Sequence, residues 1–335
     1  MKKKFVEALI CLSVISCQKK EEFSVMTVNG PVPGSKMGMV LEHEHILVDF
    51  SGAAGYNPAR WNDDSVELIV LPYLEEVASM GCGTFIDATP QFLGRDVKLL
   101  QRLSVGSGLN IVTNTGLYAA VERKYLPEYV YTSSAQELAD RWIDEFVNGI
   151  DNTGIKPGFI KISVNPGPLG DIERKLVEAA CLTHEATGLT IASHTGPAVP
   201  AFEELAILDM NGLSPEAFIW IHAQNEEDWS RCLEAAKMGA WIAFDGLNDQ
   251  NVDEYVKRIK FMKENQVLNH LLVSHDAGWY DPDQIGGGNF RAYTTVFNKL
   301  IPELLKEGLS QSDINLIFNK NPVEAFAIRV RLDPL

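Results

Sequence analysis

The sequence is poor in basic residues, and its glycine and proline contents are ordinary. Its 29 lysines and arginines face 45 aspartates and glutamates, which gives a formal net charge of −16. A field of that sign repels DNA and RNA unless a local basic stripe is present, and we find no such stripe. The 26 glycines and 16 prolines exclude collagen-like and low-complexity proteins. We therefore expect a globular protein without a nucleic-acid partner.

Cysteine is also scarce, with five residues in the chain. Cys11 and Cys17 belong to the N-terminal segment, so the rest of the chain keeps Cys82, Cys181 and Cys232. An odd number of scattered cysteines without a CxxC spacing provides neither a disulfide framework nor a thiolate metal site. We expect these three side chains to be small buried apolar groups.

The chain begins like an exported protein. Lysines at 2–4 precede an apolar stretch at 5–15, which is too short to span a bilayer and has the length of a signal-peptide core. Ser16 then precedes Cys17, as in a bacterial lipobox. We therefore predict a lipoprotein signal peptide over 1–16 and a lipid-carrying N-terminus at Cys17.

This prediction also fixes the expected location and domain limits. The mature protein would be an exported bacterial lipoprotein, anchored to a membrane through the lipid on Cys17 and facing the periplasm or the cell surface. A polar linker would occupy 17–25. The remainder, 26–335, has the size of one large domain and shows no linker-like change of composition.

Short apolar runs alternate with amphipathic segments along this domain. The apolar runs predict eight strands at 39–46, 84–88, 110–115, 159–164, 190–193, 218–221, 241–244 and 271–274. Strands that alternate with helices form a parallel sheet, and eight such units over about 300 residues fit a closed barrel better than an open sheet. No glycine-rich phosphate motif follows the first strand, which disfavours a dinucleotide-binding fold. The predicted fold is an α/β (β/α)8 TIM barrel with a short N-terminal β extension.

Polar side chains stand at the carboxyl ends of several predicted strands, where barrel enzymes place their chemistry. His43 and His45 end the first strand, and side chains two positions apart on a strand face the same way. Both imidazoles therefore point into the barrel and can bind one ion. The alternative is a pair of hydrogen-bonded polar histidines without a metal.

Lys161 lies in the middle of the fourth predicted strand, between Ile160 and Ile162. A buried lysine is costly unless it is paired or modified. One interpretation is an ion pair with a carboxylate. The other is a lysine carboxylated by carbon dioxide, which would offer two anionic oxygens to bridge two cations.

Three more strand ends complete a candidate ligand set. His194 ends the fifth strand, His222 the sixth and Asp276 the eighth. Of the other histidines, we expect His184 and His270 to face solvent. His275 is offset by one residue from Asp276, so it should face the opposite way and serve in packing or support.

This constellation resembles the binuclear amidohydrolase superfamily, and finer motifs resemble its phosphotriesterase family. The motifs are Gly94-Arg95-Asp96, Thr115-Gly116-Leu117-Tyr118, His194-Thr195-Gly196 and Gly212-Leu213-Ser214-Pro215. The resemblance runs from about Val28 to Phe326 and so covers essentially the whole predicted domain.

The resemblance implies two divalent metal ions per chain. The more buried ion would be held by His43, His45 and Asp276, and the more exposed one by His194 and His222. A carboxylated Lys161 and a hydroxide would bridge them. Imidazole and carboxylate ligands favour Zn²⁺, with Mn²⁺, Co²⁺ or Fe²⁺ as alternatives. Such a pair would lower the pKa of the shared water, and Asp276 would accept its proton.

Two further residues bear on the reaction. Tyr118 occupies the position at which, by resemblance, the lactonases of the family carry a tyrosine and the phosphotriesterases a tryptophan. The alternative interpretation is that Tyr118 lies at the rim of the cavity with its hydroxyl exposed to solvent. Asp245 ends the seventh strand and resembles an aspartate that relays protons, although an aspartate there could instead cap a helix. The loop at 246–252 lacks the histidine or arginine that completes this relay in phosphotriesterases.

The sequence therefore predicts a metal-dependent hydrolase that acts on a small-molecule lactone or other carboxyl ester. The alternatives are a phosphotriester hydrolase, an amidase on a C–N bond and a catalytically silent ligand-binding barrel. The loop at 277–290 contains Trp279, Tyr280 and three consecutive glycines, and it is either a mobile substrate lid or an irregular surface loop. The resemblance also suggests a homodimer.

Overall fold

The computed structural model describes residues 23–333. The predicted signal peptide, the lipidated Cys17 and most of the predicted linker lie outside these residues. The described strands are β1 Ser24–Thr27, β2 Gly30–Pro33, β3 Met39–Leu47, β4 Cys82–Asp87, β5 Asn110–Val112, β6 Asn114–Thr115, β7 Phe159–Ser163, β8 Ile191–His194, β9 Phe218–Ile221, β10 Trp241–Phe244, β11 Leu271–Val273 and β12 Gly278–Tyr280.

Helices follow the strands along the chain. They are α1 Asp63–Ser79, α2 Val97–Ser107, α3 Tyr129–Thr132, α4 Ala135–Asn148, α5 Asp171–Thr187, α6 Ala198–Met210, α7 Trp229–Met238, α8 Val252–Glu264, α9 Ile301–Lys306, α10 Gln311–Asn315 and α11 Asn321–Phe326. Two π-helical turns, Val296–Leu300 and Leu316–Lys320, run into α9 and α11. Within residues 23–333, no helix combines the length and the apolar character that a bilayer span requires.

The strands are arranged in chain order, as the predicted (β/α)8 barrel requires. One parallel sheet has the order β11-β10-β9-β8-β7-β6, and a second has the order β12-β3-β4-β5. Thr113 alone separates β5 from β6, so one stretch of chain joins the two sheets. At the other seam, Asp276 N donates to His43 O at 3.0 Å, and β12 pairs with β3. Among residues 23–333 the strand ladder is therefore interrupted at two seams, while the order of the strands is that of the barrel.

Alternation along each strand divides the core into two parts. Inside the sheet, one cluster takes side chains from successive strands, including Val40, Ile86, Val112, Phe159 and Leu272. The intervening residues face outward and pack against the helices in a second, larger cluster. Because the interior cluster fills the amino-terminal half of the strands, their carboxyl ends are left for polar side chains.

The N-terminal extension is an antiparallel hairpin of β1 and β2. It begins at Ser24, two residues before the predicted domain start. Val25 is fully buried and joins the interior cluster. The last residues of the predicted linker therefore belong to the folded domain, because an apolar side chain at 25 is covered by the barrel.

The three cysteines of the domain and the side chain of His184 are all buried. Cys82, Cys181 and Cys232 are free and buried, as predicted. The prediction for His184 was wrong, because its side chain is fully buried and its Nδ1 lies 2.7 Å from Leu189 O.

His270 is half-buried rather than solvent-facing, because its ring packs against Trp241 with centroids 5.3 Å apart. His275 faces away from Asp276, as the one-residue offset predicted. Its Nδ1 contacts Glu44 at 2.6 Å, and its Nε2 accepts a hydrogen bond from Val296 N at 3.0 Å.

Candidate metal centre

The structure brings all six predicted metal ligands to one cavity. The cavity has a volume of about 150 Å³ and lies at the carboxyl ends of the strands. Its floor consists of the predicted ligands, which are His43, His45, Lys161, His194, His222 and Asp276. They come from strands β3, β7, β8 and from the segments that follow β9 and β11.

Three of these residues form a compact group. The ligand atoms of His43, His45 and Asp276 all lie within 4.8 Å of one another. Asp276 Oδ1 is 3.1 Å from His45 Nε2 and 3.9 Å from His43 Nε2. Two imidazole nitrogens and a carboxylate oxygen at this spacing can bind one divalent ion.

His194 and His222 form a second pair beside this group. His222 Nε2 lies 2.7 Å from His194 Nδ1, and the His222 ring is 5.1 Å from the ring of His43. Burial and the neighbouring charges of His222 and Lys161 place the pKa of His194 well below its ordinary value. A neutral imidazole is the form that binds a metal ion.

Three of the histidines contact polar or charged partners on their outer sides. Asp245 lies 2.6 Å from His222 Nδ1 and 3.0 Å from His43 Nδ1, and Thr89 Oγ1 lies 2.8 Å from His45 Nδ1. In these three histidines Nε2 is left to face the cavity. This arrangement is typical of metal-binding histidines, whose second nitrogen is held by a carboxylate or another polar group.

Asp245 is fully buried and does not cap a helix with its side chain. It accepts hydrogen bonds from His222 N at 3.1 Å and from Gln224 Nε2 at 3.0 Å. Burial raises the pKa of Asp245, but the charges and hydrogen bonds of His222 and His43 outweigh burial and hold that pKa well below its usual range. The carboxylate is therefore anionic and supports two imidazoles from different strands.

Lys161 is the most unusual residue of the cavity floor. Its side chain is 1% exposed, and within residues 23–333 its Nζ has no hydrogen-bond partner. Burial lowers the pKa of Lys161 to about 8. The ion pair that was one interpretation of this lysine is therefore not formed among the described residues.

Tyr118 lies over His194 at the side of the cavity. Its hydroxyl oxygen is 3.1 Å from His194 Nδ1, and its side chain is 8% exposed. Burial and the charge of Asp276 raise the pKa of Tyr118, so the phenol stays protonated. Its hydroxyl faces the ligand set, and the residue is not a rim tyrosine in water.

Two glycines allow the backbone to pass close to the ligands. A Cβ at Gly116 would lie 2.1 Å from Lys161 O, and a Cβ at Gly278 would lie 1.9 Å from His45 O. Both residues have a positive φ, of 115° and 92°. The glycine after β6 and the glycine that begins β12 are therefore required by close backbone contact as well as by conformation.

Above the ligands, the cavity wall is apolar. Its side chains are Val48, Phe50, Leu93, Val121, Tyr125 and Trp279, together with Tyr118. Trp279 packs edge-on against His45, with ring centroids 5.7 Å apart. The glycines at 286–288 do not line this cavity, and a Cβ at Gly287 would lie 2.3 Å from the Tyr280 ring. Of the predicted lid, only Trp279 therefore reaches the candidate site.

Several supporting residues were not recognised from the sequence. Thr89 follows the second barrel strand, so the search for polar strand ends could have found it. Gln224 contacts Asp245 from a segment that had no assigned role. Glu44 lies between the two histidines of β3 and accepts hydrogen bonds from Ala277 N and from Ser274 Oγ, at 2.9 and 2.6 Å. It fixes the segment that carries Asp276.

The donor set fits two divalent ions. It offers four imidazoles and a carboxylate that line one cavity, together with a buried amine that has no hydrogen-bond partner among the described residues. Nitrogen and oxygen ligands of this kind suit Zn²⁺ and neighbouring first-row ions.

The comparisons with known proteins agree with this geometry. The sequence pattern of the phosphotriesterase family matches residues 23–326. The phosphotriesterase homology protein of Escherichia coli is 29% identical over 86% of this chain and 98% of its own length. The aryldialkylphosphatase of Saccharolobus solfataricus is 26% identical over 88% of this chain and 97% of its own length.

Two further similarities concern structure and another activity. The crystal structure of the Escherichia coli phosphotriesterase homology protein, complexed with phosphate in its active site, has a TM-score of 0.76 and 26% identity. It covers 87% of this chain and 99% of that one. The N-acetyltaurine hydrolase of Salmo salar is 25% identical over 89% of this chain and 96% of its own length. The chain therefore belongs to the phosphotriesterase family of hydrolases.

Proposed function

We propose that the protein hydrolyses a small lactone or other carboxyl ester with the help of two divalent metal ions. The observation that carries this proposal is the cavity itself, which combines a floor of six ligands with a small apolar wall. Pockets for drug-sized ligands usually measure roughly 300–1,000 Å³, so a cavity of about 150 Å³ favours a small substrate. A phosphotriester with three ester arms needs more room.

The wall also bears on the amide alternative. N-acetyltaurine carries an anionic sulfonate, which would need a cationic partner in a site that excludes water. Among the described residues that line the cavity, Lys161 is the only lysine or arginine, and it lies in the floor. An uncharged ester or lactone suits this wall better than an anionic amide.

The residues proposed to hold the ions are those already placed around the cavity. His43, His45 and Asp276 would hold one ion, and His194 and His222 the other. Lys161 would serve both as a carboxylated side chain, since its buried amine lacks a partner and a neutral amine reacts with carbon dioxide. When bound, two ions of this kind, preferably Zn²⁺, lower the pKa of a water molecule and polarise a carbonyl oxygen.

The side chains around the cavity have separate roles in this proposal. Asp276 accepts the proton that the attacking water loses, because its carboxylate is the only one that lines the cavity among the described residues. Tyr118 stays protonated and donates its hydroxyl hydrogen toward the reacting oxygen of the substrate. Asp245 holds the imidazoles of His43 and His222 in place.

Initial rates on three substrate classes test the proposal. The described domain would be assayed with lactones, aryl carboxyl esters and a phosphotriester, each with and without a chelator, and N-acetyltaurine would test the amide alternative. We expect a chelator-sensitive rate that is highest on lactones or carboxyl esters. A higher rate on the phosphotriester or on N-acetyltaurine would contradict the proposal. Ligand binding without any turnover would favour the silent binding barrel.

A further inference from the structure

One turn at the mouth of the cavity has an unusual backbone. Val121, Glu122 and Arg123 follow β6 and have φ values of 56°, 53° and 65°. Three consecutive non-glycine residues in the left-handed region are rare, and a β-branched valine is particularly unfavourable there. Backbone strain of this kind persists only where surrounding contacts impose it.

The contacts that impose it come from α5 and from the segment before it. Arg123 binds Glu173 through two nitrogens, at 3.0 and 2.8 Å, and the Glu173 side chain is buried. Asn165 accepts a hydrogen bond from Glu122 N at 3.1 Å and donates to Ala119 O at 3.1 Å. It also donates to Glu173 at 3.0 Å. The turn is therefore held at both of its ends.

The turn places one apolar side chain at the opening of the cavity. Val121 lines the cavity and is 57% exposed, whereas Tyr118 and Tyr125 beside it are 8% and 4% exposed. Its polar neighbours Glu122 and Arg123 make their contacts with Asn165 and Glu173 instead. Val121 is thus the most exposed residue of the apolar wall, so an apolar group of a substrate that fills the opening of the cavity would contact it.

We propose that Val121 is a specificity-determining residue that contacts an apolar substituent next to the hydrolysed bond. The left-handed turn holds the valine over the opening of the cavity. Because this side chain is apolar, the substrate class is an uncharged ester or lactone with a hydrocarbon side chain. This inference rests on the proposed function for the identity of the reacting group. The inference identifies the part of the substrate that lies at the opening of the cavity.

A series of five-membered lactones with alkyl side chains from methyl to hexyl tests the inference. For the metal-loaded wild-type protein we expect kcat/KM to rise about twofold per methylene, which is the gain from partial burial of each group. In V121A the rise should flatten, with a loss of at least fivefold for the hexyl lactone and less than twofold for the methyl lactone. V121N should flatten it equally, because asparagine tolerates the left-handed backbone and keeps the turn.

V147A is the matched control, since Val147 on α4 is 56% exposed and does not line the cavity. Its chain-length dependence should equal that of the wild-type protein. An unchanged dependence in V121A and V121N would overturn the inference.

Failure of the proposed function can be separated from failure of this inference by a binding measurement. If no lactone or ester is hydrolysed, the proposed function fails. Calorimetry with the corresponding five-membered lactams then still reports on Val121, because a lactam keeps the side chain and resists hydrolysis. A Kd for the hexyl lactam that weakens at least fivefold in V121A supports the inference. Equal Kd values in V121A and the wild-type protein, or no lactam binding at all, overturn it.

Discussion

Asp245 accepts a hydrogen bond from His222 Nδ1 at 2.6 Å, and its second oxygen lies 3.0 Å from His43 Nδ1. One buried carboxylate thus contacts two imidazoles that come from non-adjacent strands, on β3 and after β9. Each of these imidazoles belongs to a different proposed ion. The two halves of the candidate centre are therefore mechanically linked through a residue that would bind neither ion.

Replacing Asp245 by asparagine tests this link. D245N keeps the size of the side chain but removes the negative charge from both imidazoles, and its amide leaves an acceptor oxygen for only one of them. We expect metal affinity to fall about 10–100-fold for both ions, as is usual for such supporting groups. Competition with a coloured chelator measures it. The control is D249N, because Asp249 is exposed and pairs with Lys299 away from the cavity. Loss of one ion with full retention of the other would contradict a shared role.

Replacing Lys161 should lower the metal content of the protein but raise the stability of its metal-free form. K161M removes the amine while keeping a long apolar side chain. Metal content per chain should fall, as measured by elemental analysis, because the proposed bridge is gone. The metal-free protein should gain roughly 1–3 kcal/mol in its free energy of unfolding, since an unpartnered buried amine has been removed. K98M, at an exposed position of α2, should change neither quantity. Unchanged metal content would exclude Lys161 as a bridge.

Replacing Tyr118 should lower kcat without changing the metal content of the protein. Y118F removes the hydroxyl beside His194 and retains the ring. We expect kcat on the best ester or lactone to fall about 100-fold, the usual loss when one donor to the reacting oxygen is removed. Metal content should stay the same, and so should the activity of Y131F, whose tyrosine is 45% exposed. An unchanged kcat in Y118F would leave this tyrosine with a packing role only.

Gly278 and Gly308 form a matched pair for measuring backbone crowding. Their φ values are 92° and 93°, but a Cβ at Gly278 would meet His45 O at 1.9 Å, whereas nothing lies within 4 Å at Gly308. We expect G308A to cost about 1 kcal/mol in the free energy of unfolding and G278A to cost at least about 3 kcal/mol. Urea denaturation of the two variants measures the difference. Equal losses would mean that β3 and β12 can separate without cost.

The buried carboxyl of Glu204 should make the free energy of unfolding depend on pH. It is fully buried behind β8, and its partners are the hydroxyls of Ser193 and Thr195. Burial raises the pKa of Glu204 to about 8 from an ordinary value of 4.5. The folded protein therefore retains a proton that the unfolded chain releases, so this residue lowers stability progressively as pH rises from about 4.5 to about 8.

E204Q should remove this dependence. At pH 9 the variant should exceed the wild-type protein by on the order of 5 kcal/mol in the free energy of unfolding, and at pH 4 the two should be nearly equal. Chemical denaturation at both pH values measures it. E185Q, at an exposed position of the neighbouring helix α5, is the control and should show no such difference. A constant difference between E204Q and the wild-type protein at all pH values would show that Glu204 does not titrate in this range.

Much of the fold could be predicted from the chain, because the strands are short apolar runs separated by amphipathic helices. The predicted 218–221 and 241–244 coincide with β9 and β10. The predicted 110–115 is divided into β5 and β6 at Thr113, and the others differ by a residue or two at their ends. The ligands could be predicted for a related reason. His194 and His222 directly end or follow an apolar run and Asp276 lies shortly after one, and parallel strands bring such positions together at one edge.

Residues whose role depends on packing between elements could not be predicted in this way. The sequence suggested a proton relay for Asp245, but its contacts with His43 and His222 depend on where two distant strands meet. His184 looked like a surface residue in a helix, yet the backbone of Arg331 covers it, with Arg331 N donating to its Nε2 at 2.9 Å.

Glu42 is the clearest example of a residue hidden from sequence reasoning. The pairing of β3 with β4 shifts between Leu41 and Glu44, so strict alternation fails at this point. The Glu42 carboxyl is 3% exposed, and burial together with the charge of Asp245 raises its pKa well above the ordinary value. A bulge of this kind leaves no mark in the pattern of apolar and polar residues.

The pairing of β12 with β3 has a consequence for the order in which the protein matures. Ala277 N donates to Glu44, a partner 233 residues earlier in the chain, and Asp276 stands beside this contact. During synthesis the two histidines of β3 leave the ribosome first. The third proposed ligand of the same ion, Asp276, emerges only near the end of translation. Such long-range closure is slow compared with helix formation. A chain that ends before residue 276 lacks this carboxylate, so binding of the first proposed ion would distinguish complete chains from truncated ones.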